Sequence, residues 1–339
     1  MLQSLLVEAN PWAGSRRHSI TIGWPMTKPW LSVIVPSHNG ERWLGAALHS
    51  LVDQREQGIE VIVIDTSNTD VSLRIAEGFS DELNIHTERR PDLLGWELKV
   101  NYGVSVARGD RISILHQDDR LLPGRCAELR KWLSCERDAV MHLHPSYIID
   151  EAGRRLGVWR CPLSDGRSPQ DVLLERLLVQ NFISIPAPII GRDAYLSVGG
   201  LDEKLWYTQD WDLYLKLAAF GNVYYHSTPL TCFRIHKNSL TMSGSRDKSD
   251  FRRQHEIVVD RHIKKVAGSY QAEVARLAQT SIDVNTALAA AVGGEVNQVF
   301  VALTSVLRLG PRGMTRYFHH SRIVDRVLPR LRALVTRRF

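Results

Sequence analysis

The pentapeptide Leu115-His116-Gln117-Asp118-Asp119 sets two adjacent carboxylates where an apolar run, Arg111 to Leu115, comes to an end. A carboxylate closing a strand of an open α/β sheet faces the ligand crevice. Two side by side repel each other, and a hard cation such as Mg²⁺ or Mn²⁺, held also by substrate phosphates, lets both stay ionised. Taken alone, the pair serves equally well to open a turn toward Pro123 and Gly124 and to cap the following helix.

The elements that must position this pair tip the balance. From Trp30 onward short β-branched runs alternate with helical periodicity: strands at Leu31 to Pro36, Val61 to Ile64, Asn84 to Thr87 and Arg111 to Leu115, and helices at Glu41 to Gln54, Val71 to Phe79 and Leu94 to Ala107. That order predicts an α/β fold with a mostly parallel sheet. Polar residues then gather after three of the strands: Ser37, His38 and Asn39; Asp65, Thr66 and Ser67; His116, Asp118 and Asp119. In a parallel sheet these ends share one edge, so their convergence points to a nucleotide or phosphate site. Neither G-x-G-x-x-G nor G-x-x-x-x-G-K-[ST] occurs, which leaves the phosphates to other groups, a metal on the acidic pair among them.

Beyond Pro123 the pattern predicts a strand over Val140 to Ile149, helices over Ser168 to Val179, Arg192 to Val198 and Leu213 to Phe220, a strand region over Val223 to Ile235, and helices from about Asp250. His142 and His144 share a face of their strand, yet no matching acidic ligands follow, so metal is not expected there. Trp206, Tyr207 and Trp211 offer aromatic surface for a sugar or simply pack the start of a helix, and Lys99 and Arg108 either approach phosphate or sit on solvated helix ends.

The chain has 339 residues, 44% apolar and 24% charged, enough for a substantial core. Four cysteines without C-x-x-C spacing suit a reducing compartment, and a cytoplasmic location is expected. Met1 to Lys28 lacks the long apolar core of a secretory signal and reads as a flexible leader. No apolar run reaches membrane-spanning length; the nearest, Ala287 to Leu307, is interrupted by Gly293, Gly294, Glu295, Asn297 and Gln298. The net charge of +6 is concentrated near the end, where Arg308, Arg312, Arg316, Arg322, Arg326, Arg330, Arg332, Arg337 and Arg338 face the lone acid Asp325. Met314, Tyr317, Phe318, Val324, Val327, Leu328 and Leu331 recur among them at helical intervals. This basic amphipathic segment suits an anionic membrane surface, or a terminal helix that packs its apolar stripe and leaves a solvated basic face. No nucleic-acid motif accompanies the charge, so a nucleic-acid partner is not expected.

In order, Pro36-Ser37-His38-Asn39-Gly40, Asp65-Thr66-Ser67-Asn68-Thr69-Asp70, Ala107-Arg108-Gly109-Asp110, His116-Gln117-Asp118-Asp119, Gly199-Gly200-Leu201-Asp202-Glu203 and Gln209-Asp210-Trp211-Asp212-Leu213 resemble the family two glycosyltransferases of GT-A fold. The resemblance runs from about Trp30 to Thr241. It implies a GT-A domain over residues 30–245, with a leader over 1–29 and a helical extension over 246–339. It further implies transfer of a sugar, with inversion, from a nucleotide diphosphate sugar to an acceptor hydroxyl on a glycan or lipid-linked carrier, in cell-surface polysaccharide or glycolipid synthesis.

On that resemblance Pro36, His38, Asn39 and Asp65 line the nucleotide pocket with Asp118. Asp118 and Asp119 hold Mg²⁺ or Mn²⁺, His236 assists them, Asp210 is the catalytic base, and Trp211 stands on the acceptor side. A base distant in sequence from the metal ligands agrees with in-line attack opposite the leaving group. The chain departs from the pattern at His116, which opens the acidic signature, at Thr66, and at Gln209, which leaves Asp210 without a carboxylate neighbour to raise its pKa. A peripheral site on the inner membrane face is expected for the basic end. The alternatives are a sugar-nucleotide nucleotidyltransferase, which calls for a Gly-rich loop that Pro36 to Gly40 does not supply, and a catalytically silent nucleotide-sugar-binding subunit.

Overall fold

A computed structural model describes residues 27–237, 247–292 and 297–336. Nearly all of the expected leader lies outside them.

Four strands form the first half of the main sheet: β1 (Leu31–Ser37), β2 (Ile59–Asp65), β3 (Ile85–Arg89) and β4 (Arg111–Ile114). They run parallel in the order β3-β2-β1-β4, with Leu31 opposite Ile59 and Ser37 opposite Asp65. Helices α1 (Leu44–Val52), α2 (Val71–Glu77) and α3 (Trp96–Val106) make the crossovers. Side chains alternate across a strand, and here both faces are buried. Ile34, Ile62, Ile64 and Ile112 meet Val100 and Val104 of α3, whereas Val33, Val35, Val61 and Val63 meet Leu44 and Leu48 of α1. A Cβ on Gly103 would come within 2.6 Å of Ile34, so glycine there lets α3 lie close against β1.

The chain continues through β5 (Arg120–Leu121), α4 (Arg125–Cys135), β6 (Ala139–Leu143), β7 (Ser146–Ile149), β8 (Arg155–Trp159), β9 (Gly166–Ser168), α5 (Gln170–Val179), β10 (Ile189–Gly191), α6 (Arg192–Ser197), α7 (Gln209–Phe220), β11 (Asn222–Tyr225) and β12 (Thr231–Arg234). The main sheet has the order β3-β2-β1-β4-β10-β6-β11-β9, and a second sheet has β5-β12-β7-β8. The strands expected over Val140 to Ile149 and Val223 to Ile235 are each divided between the two sheets. β6 and β11 pair parallel in the first, and β7 and β12 pair parallel in the second. Pro145 and Pro229 fall in the two breaks, where an absent N–H interrupts a ladder without loss.

Among the described residues five α-helices follow: α8 (Lys248–His262), α9 (Gly268–Val292), α10 (Asn297–Leu307), α11 (Gly310–Ser321) and α12 (Ile323–Thr336). Asp212 of α7, fully buried, anchors α8 by accepting from Arg261 at 2.9 Å and bonding His262 at 2.8 Å, and it also pairs with Lys216 at 3.1 Å. α9 and α11 lie on α5, and α12 lies on β8. A Cβ on Gly157 would meet the Pro329 ring at 2.6 Å, so the glycine seats α12 against β8.

The basic end therefore packs on the protein, but not as its amphipathic pattern predicts. Tyr317 is buried, while Phe318, Val324, Leu328 and Leu331 are exposed, and the Arg326 and Arg330 guanidiniums turn inward over Trp159. The Trp159 ring on the protein side receives both guanidiniums. Among the described residues no helix is long and apolar enough to cross a membrane.

Candidate active site

The ends of β1 and β4 open into a cleft of about 650 Å³, whose walls include Pro36, His38, Lys99, His116, Asp118, Asp119, Asn181, Asp210 and Trp211. Residues separated by nearly the whole chain meet here, since Arg326 and Arg330 of α12 form part of the same wall.

Two loops build the strand-end wall. Gln117 ties them together: its Oε1 accepts the His38 N–H at 2.8 Å, and its Nε2 donates to the His38 carbonyl at 3.0 Å. The His38 ring lies against Thr66, with Nδ1 3.1 Å from the Thr66 carbonyl. Lys99 lies beneath both loops, donating to the Ser37 carbonyl at 3.1 Å and to Thr66 Oγ1 at 2.9 Å. Burial draws its pKa down to about 8. It is not on a solvated helix end; the close approach at Gly103 carries it inside.

Asp65 and Asn39, expected in the nucleotide pocket, are not on the cleft wall. The Asp65 carboxylate accepts from the Ser67 backbone N–H at 3.0 Å and from Ser67 Oγ at 2.6 Å, which shapes the loop after β2. Asn39 adopts a left-handed φ of 49° and donates its N–H to Ser67 Oγ at 2.7 Å. Both residues are used to set the loops that carry Pro36 and His38.

The acidic pair is split. Asp118 Oδ2 bonds His236 Nε2 at 2.8 Å; burial opposes its ionisation, but the His236 bond and the charge of nearby imidazoles hold its carboxyl below the usual range. Asp119 is turned toward β12, where its Oδ1 accepts the Arg234 N–H at 2.9 Å, and burial followed by the Asp118 charge pushes its carboxyl well up. Asp119 Oδ2 is buried without a partner. Asp118, Asp119 and His236 do not converge on one point: among the described residues only another group brings three ligand atoms within 4.8 Å. Of the three residues expected to hold a metal, Asp118 and His236 are in direct contact, while Asp119 gives one oxygen to the β12 backbone.

Arg234, which sequence reasoning passed over, locks this arrangement. Its Nε donates to the Asp118 carbonyl at 2.8 Å, and its Nη1 donates to the carbonyls of Asp150 at 2.8 Å and Glu151 at 3.1 Å. His116, where many relatives would offer an acid, has its pKa lowered by burial, and its Nε2 lacks a partner. Asp118 and His236 present a carboxylate oxygen and an imidazole nitrogen to the cleft, and a hard cation there would draw its further ligands from phosphate oxygens.

Across the cleft Asp210 sits in the first turn of α7. Its Oδ1 accepts the Trp211 N–H at 2.8 Å, and its Oδ2 accepts from Asn181 Nδ2 at 3.0 Å. Burial raises its pKa to about 6 despite these bonds. Desolvation thus does what a carboxylate at position 209 was expected to do; Gln209 instead donates to the Trp206 carbonyl at 3.2 Å. Trp211 reaches the wall but is only 4% exposed, and its indole N–H donates to the Leu177 carbonyl at 2.7 Å, so packing engages most of it. Tyr207 and Trp159 join it on the aromatic lining.

Burial also lowers the pKa of Arg326 and of Arg330, the latter to about 10. Neither forms an ion pair among the described residues, and Arg326 Nε and Nη1 are buried without partners. Their helical spacing was visible in the sequence; that they face a cleft was not.

An open, mostly parallel sheet with its ligand crevice at the strand ends, joined to a smaller sheet and a carboxylate on the facing helix, defines a GT-A fold. The solved structure of S. aureus TarS in complex with UDP-GlcNAc superposes with a TM-score of 0.62 at 16% identity, covering 74% of this chain and 72% of that one. The mannosyltransferase PcManGT from Pyrobaculum calidifontis, in complex with GDP-Man and Mn²⁺, gives 0.50 at 17% identity over 91% and 88%. Residues 32–179 match the model of Glycosyl transferase family 2. An uncharacterized glycosyltransferase of Haemophilus influenzae is 26% identical over 234 residues, which are 66% of this chain and 76% of the relative.

Proposed function

We propose that this glycosyltransferase moves a sugar, with inversion, from a nucleoside diphosphate sugar to a hydroxyl of a glycan or lipid-linked acceptor. The observation that carries the reading is a single cleft with Pro36, His38 and Asp118 on one wall and Asp210 on another. A pKa of about 6 leaves Asp210 mostly ionised at neutral pH and still basic enough to take a proton as the hydroxyl attacks. Asn181 and the Trp211 N–H orient its two oxygens while leaving lone pairs for the acceptor. Asp118 and His236 would hold Mg²⁺ or Mn²⁺, which would offset charge on the departing diphosphate. Lys99 is committed to Ser37 and Thr66, which speaks against the nucleotidyltransferase alternative, where a lysine must reach the phosphates.

The acceptor is read as anionic, for Arg326 and Arg330 bring unpaired charge to the Asp210 side of the cleft. A lipid-linked phosphate carrier in surface-glycan synthesis fits that requirement. Peripheral contact with the inner membrane face is assigned to the exposed Val324, Leu328 and Leu331, one apolar stripe of α12. The test is a thermal-shift panel of UDP, GDP, dTDP and their sugar conjugates with and without Mn²⁺, followed by product analysis of the responding donor. Cation-dependent stabilisation by one nucleotide and an inverted product support the reading; no response to any donor refutes it.

A further inference from the structure

A second cluster lies away from the cleft, where Glu136 ends α4, His142 sits on β6, and His226 follows β11. Glu136 Oε2 is 3.1 Å from His142 Nδ1 and 3.1 Å from His226 Nε2, and the two ring nitrogens are 3.3 Å apart. Donors bound to zinc at about 2.0–2.1 Å in a tetrahedron stand about 3.3 Å from one another. The triangle is thus close to one face of a zinc coordination shell. None of the three residues lines the cleft.

We propose that Glu136, His142 and His226 form a binding site for a zinc-like transition-metal dication, separate from the donor site, with its fourth position open to water. Hydrogen bonding alone satisfies the cluster poorly. If both rings present N–H groups to Glu136, those two N–H groups lie head to head; if one presents a lone pair, Glu136 loses a donor. A dication accepts all three lone pairs at once.

The surroundings favour it. His142 is 1% exposed, whereas the side chains of His226 and Glu136 are 16% and 20% exposed, giving a buried ligand and a rim through which an ion can enter. The Trp132 ring stacks on His226 with centroids 3.7 Å apart and planes 2° from parallel, fixing the orientation of that imidazole. His144, the partner that strand periodicity would offer, is excluded: its Nε2 accepts from Arg125 Nε at 3.4 Å, and its Nδ1 donates to the Pro145 carbonyl at 2.8 Å. Three protein ligand atoms converge on one point here, whereas Asp118 and His236 at the donor site leave most positions to phosphate oxygens. An ion here would clamp the end of α4 to the β6–β11 edge.

The test uses the full chain stripped with chelator, then titrated with Zn²⁺ by calorimetry and with Co²⁺ by visible absorption in the presence of saturating Mg²⁺. One equivalent of Zn²⁺ should bind, raise Tm, and yield the intense visible bands of tetrahedral Co²⁺. His226→Asn and Glu136→Gln, both at the rim, should melt near the wild type without metal and lose at least tenfold in Zn²⁺ affinity. Asp118→Ala should keep the site intact. No stoichiometric binding by the wild type, undiminished binding by both rim variants, or loss in Asp118→Ala instead would overturn the proposal.

Discussion

Removing the Asn181 side-chain amide should move the acid limb of the pH–rate profile by an amount the geometry sets. In the wild type Asp210 must be ionised to act as base, so with a pKa of about 6 the ionised fraction falls from about nine-tenths at pH 7 to about one-tenth at pH 5. kcat/KM should drop about tenfold over that interval. The Asn181 Nδ2–H bond at 3.0 Å stabilises the carboxylate rather than the acid. A hydrogen bond to a charged group contributes about 1.5–3 kcal/mol, and one pKa unit corresponds to about 1.4 kcal/mol. Asn181→Ala should therefore raise the limb by about one to two units, depressing the rate at pH 6 and restoring it at pH 9. The assay is product formation from pH 5 to 9 at saturating donor, with donor affinity measured in parallel. A limb that stays in place, or a loss equal at every pH, would refute the assignment of Asp210 as a base tuned by burial and opposed by Asn181.

Further outcomes are specific. Asp210→Asn should lower kcat by about 10²- to 10⁴-fold with donor affinity unchanged, checked by calorimetry and turnover. Asp118→Ala should abolish Mn²⁺-dependent stabilisation by the nucleotide in a thermal-shift assay, while Asp119→Asn should affect Tm more than donor binding. Burial depresses His144 to about 3 and His255 to about 4, below the ordinary histidine value, so the unfolded chain binds more protons than the native one at acid pH. Their contribution is intact above about pH 6.5 and is lost as pH falls toward those folded values. Between pH 6.5 and 5 chemical denaturation should show a loss of about 2 kcal/mol for each. Replacing Val324, Leu328 and Leu331 together by Gln should abolish sedimentation with anionic vesicles and leave turnover of a soluble acceptor unchanged.

The donor half of the molecule was legible because its signals are local. β-branched runs ending in turn residues located β1, β2 and β4, and the shared direction of parallel strands brought their polar ends to one edge. What escaped depends on contacts far apart in sequence. Asp119 looks equivalent to Asp118 until Arg234 claims it. In the sequence His142 pairs with His144 and lacks an acidic ligand, because its partners Glu136 and His226 meet it only in the fold. Short β5 and β9 carry too few residues for a period to register, and two long runs each read as one strand across Pro145 and Pro229. Amphipathic spacing located the helix carrying Arg326 and Arg330 but not which of its faces the protein would cover.

The seat of α12 on β8 gives the catalytic chamber a detachable side. Most of its donor wall lies before residue 120, with Arg234 and His236 joining it later, whereas Arg326 and Arg330 come from the last described helix. The wall that Arg326 and Arg330 supply is therefore the last part of the described cleft to be synthesised. On the proposed reading, exchange of the terminal helices should change acceptor choice while nucleotide recognition is kept.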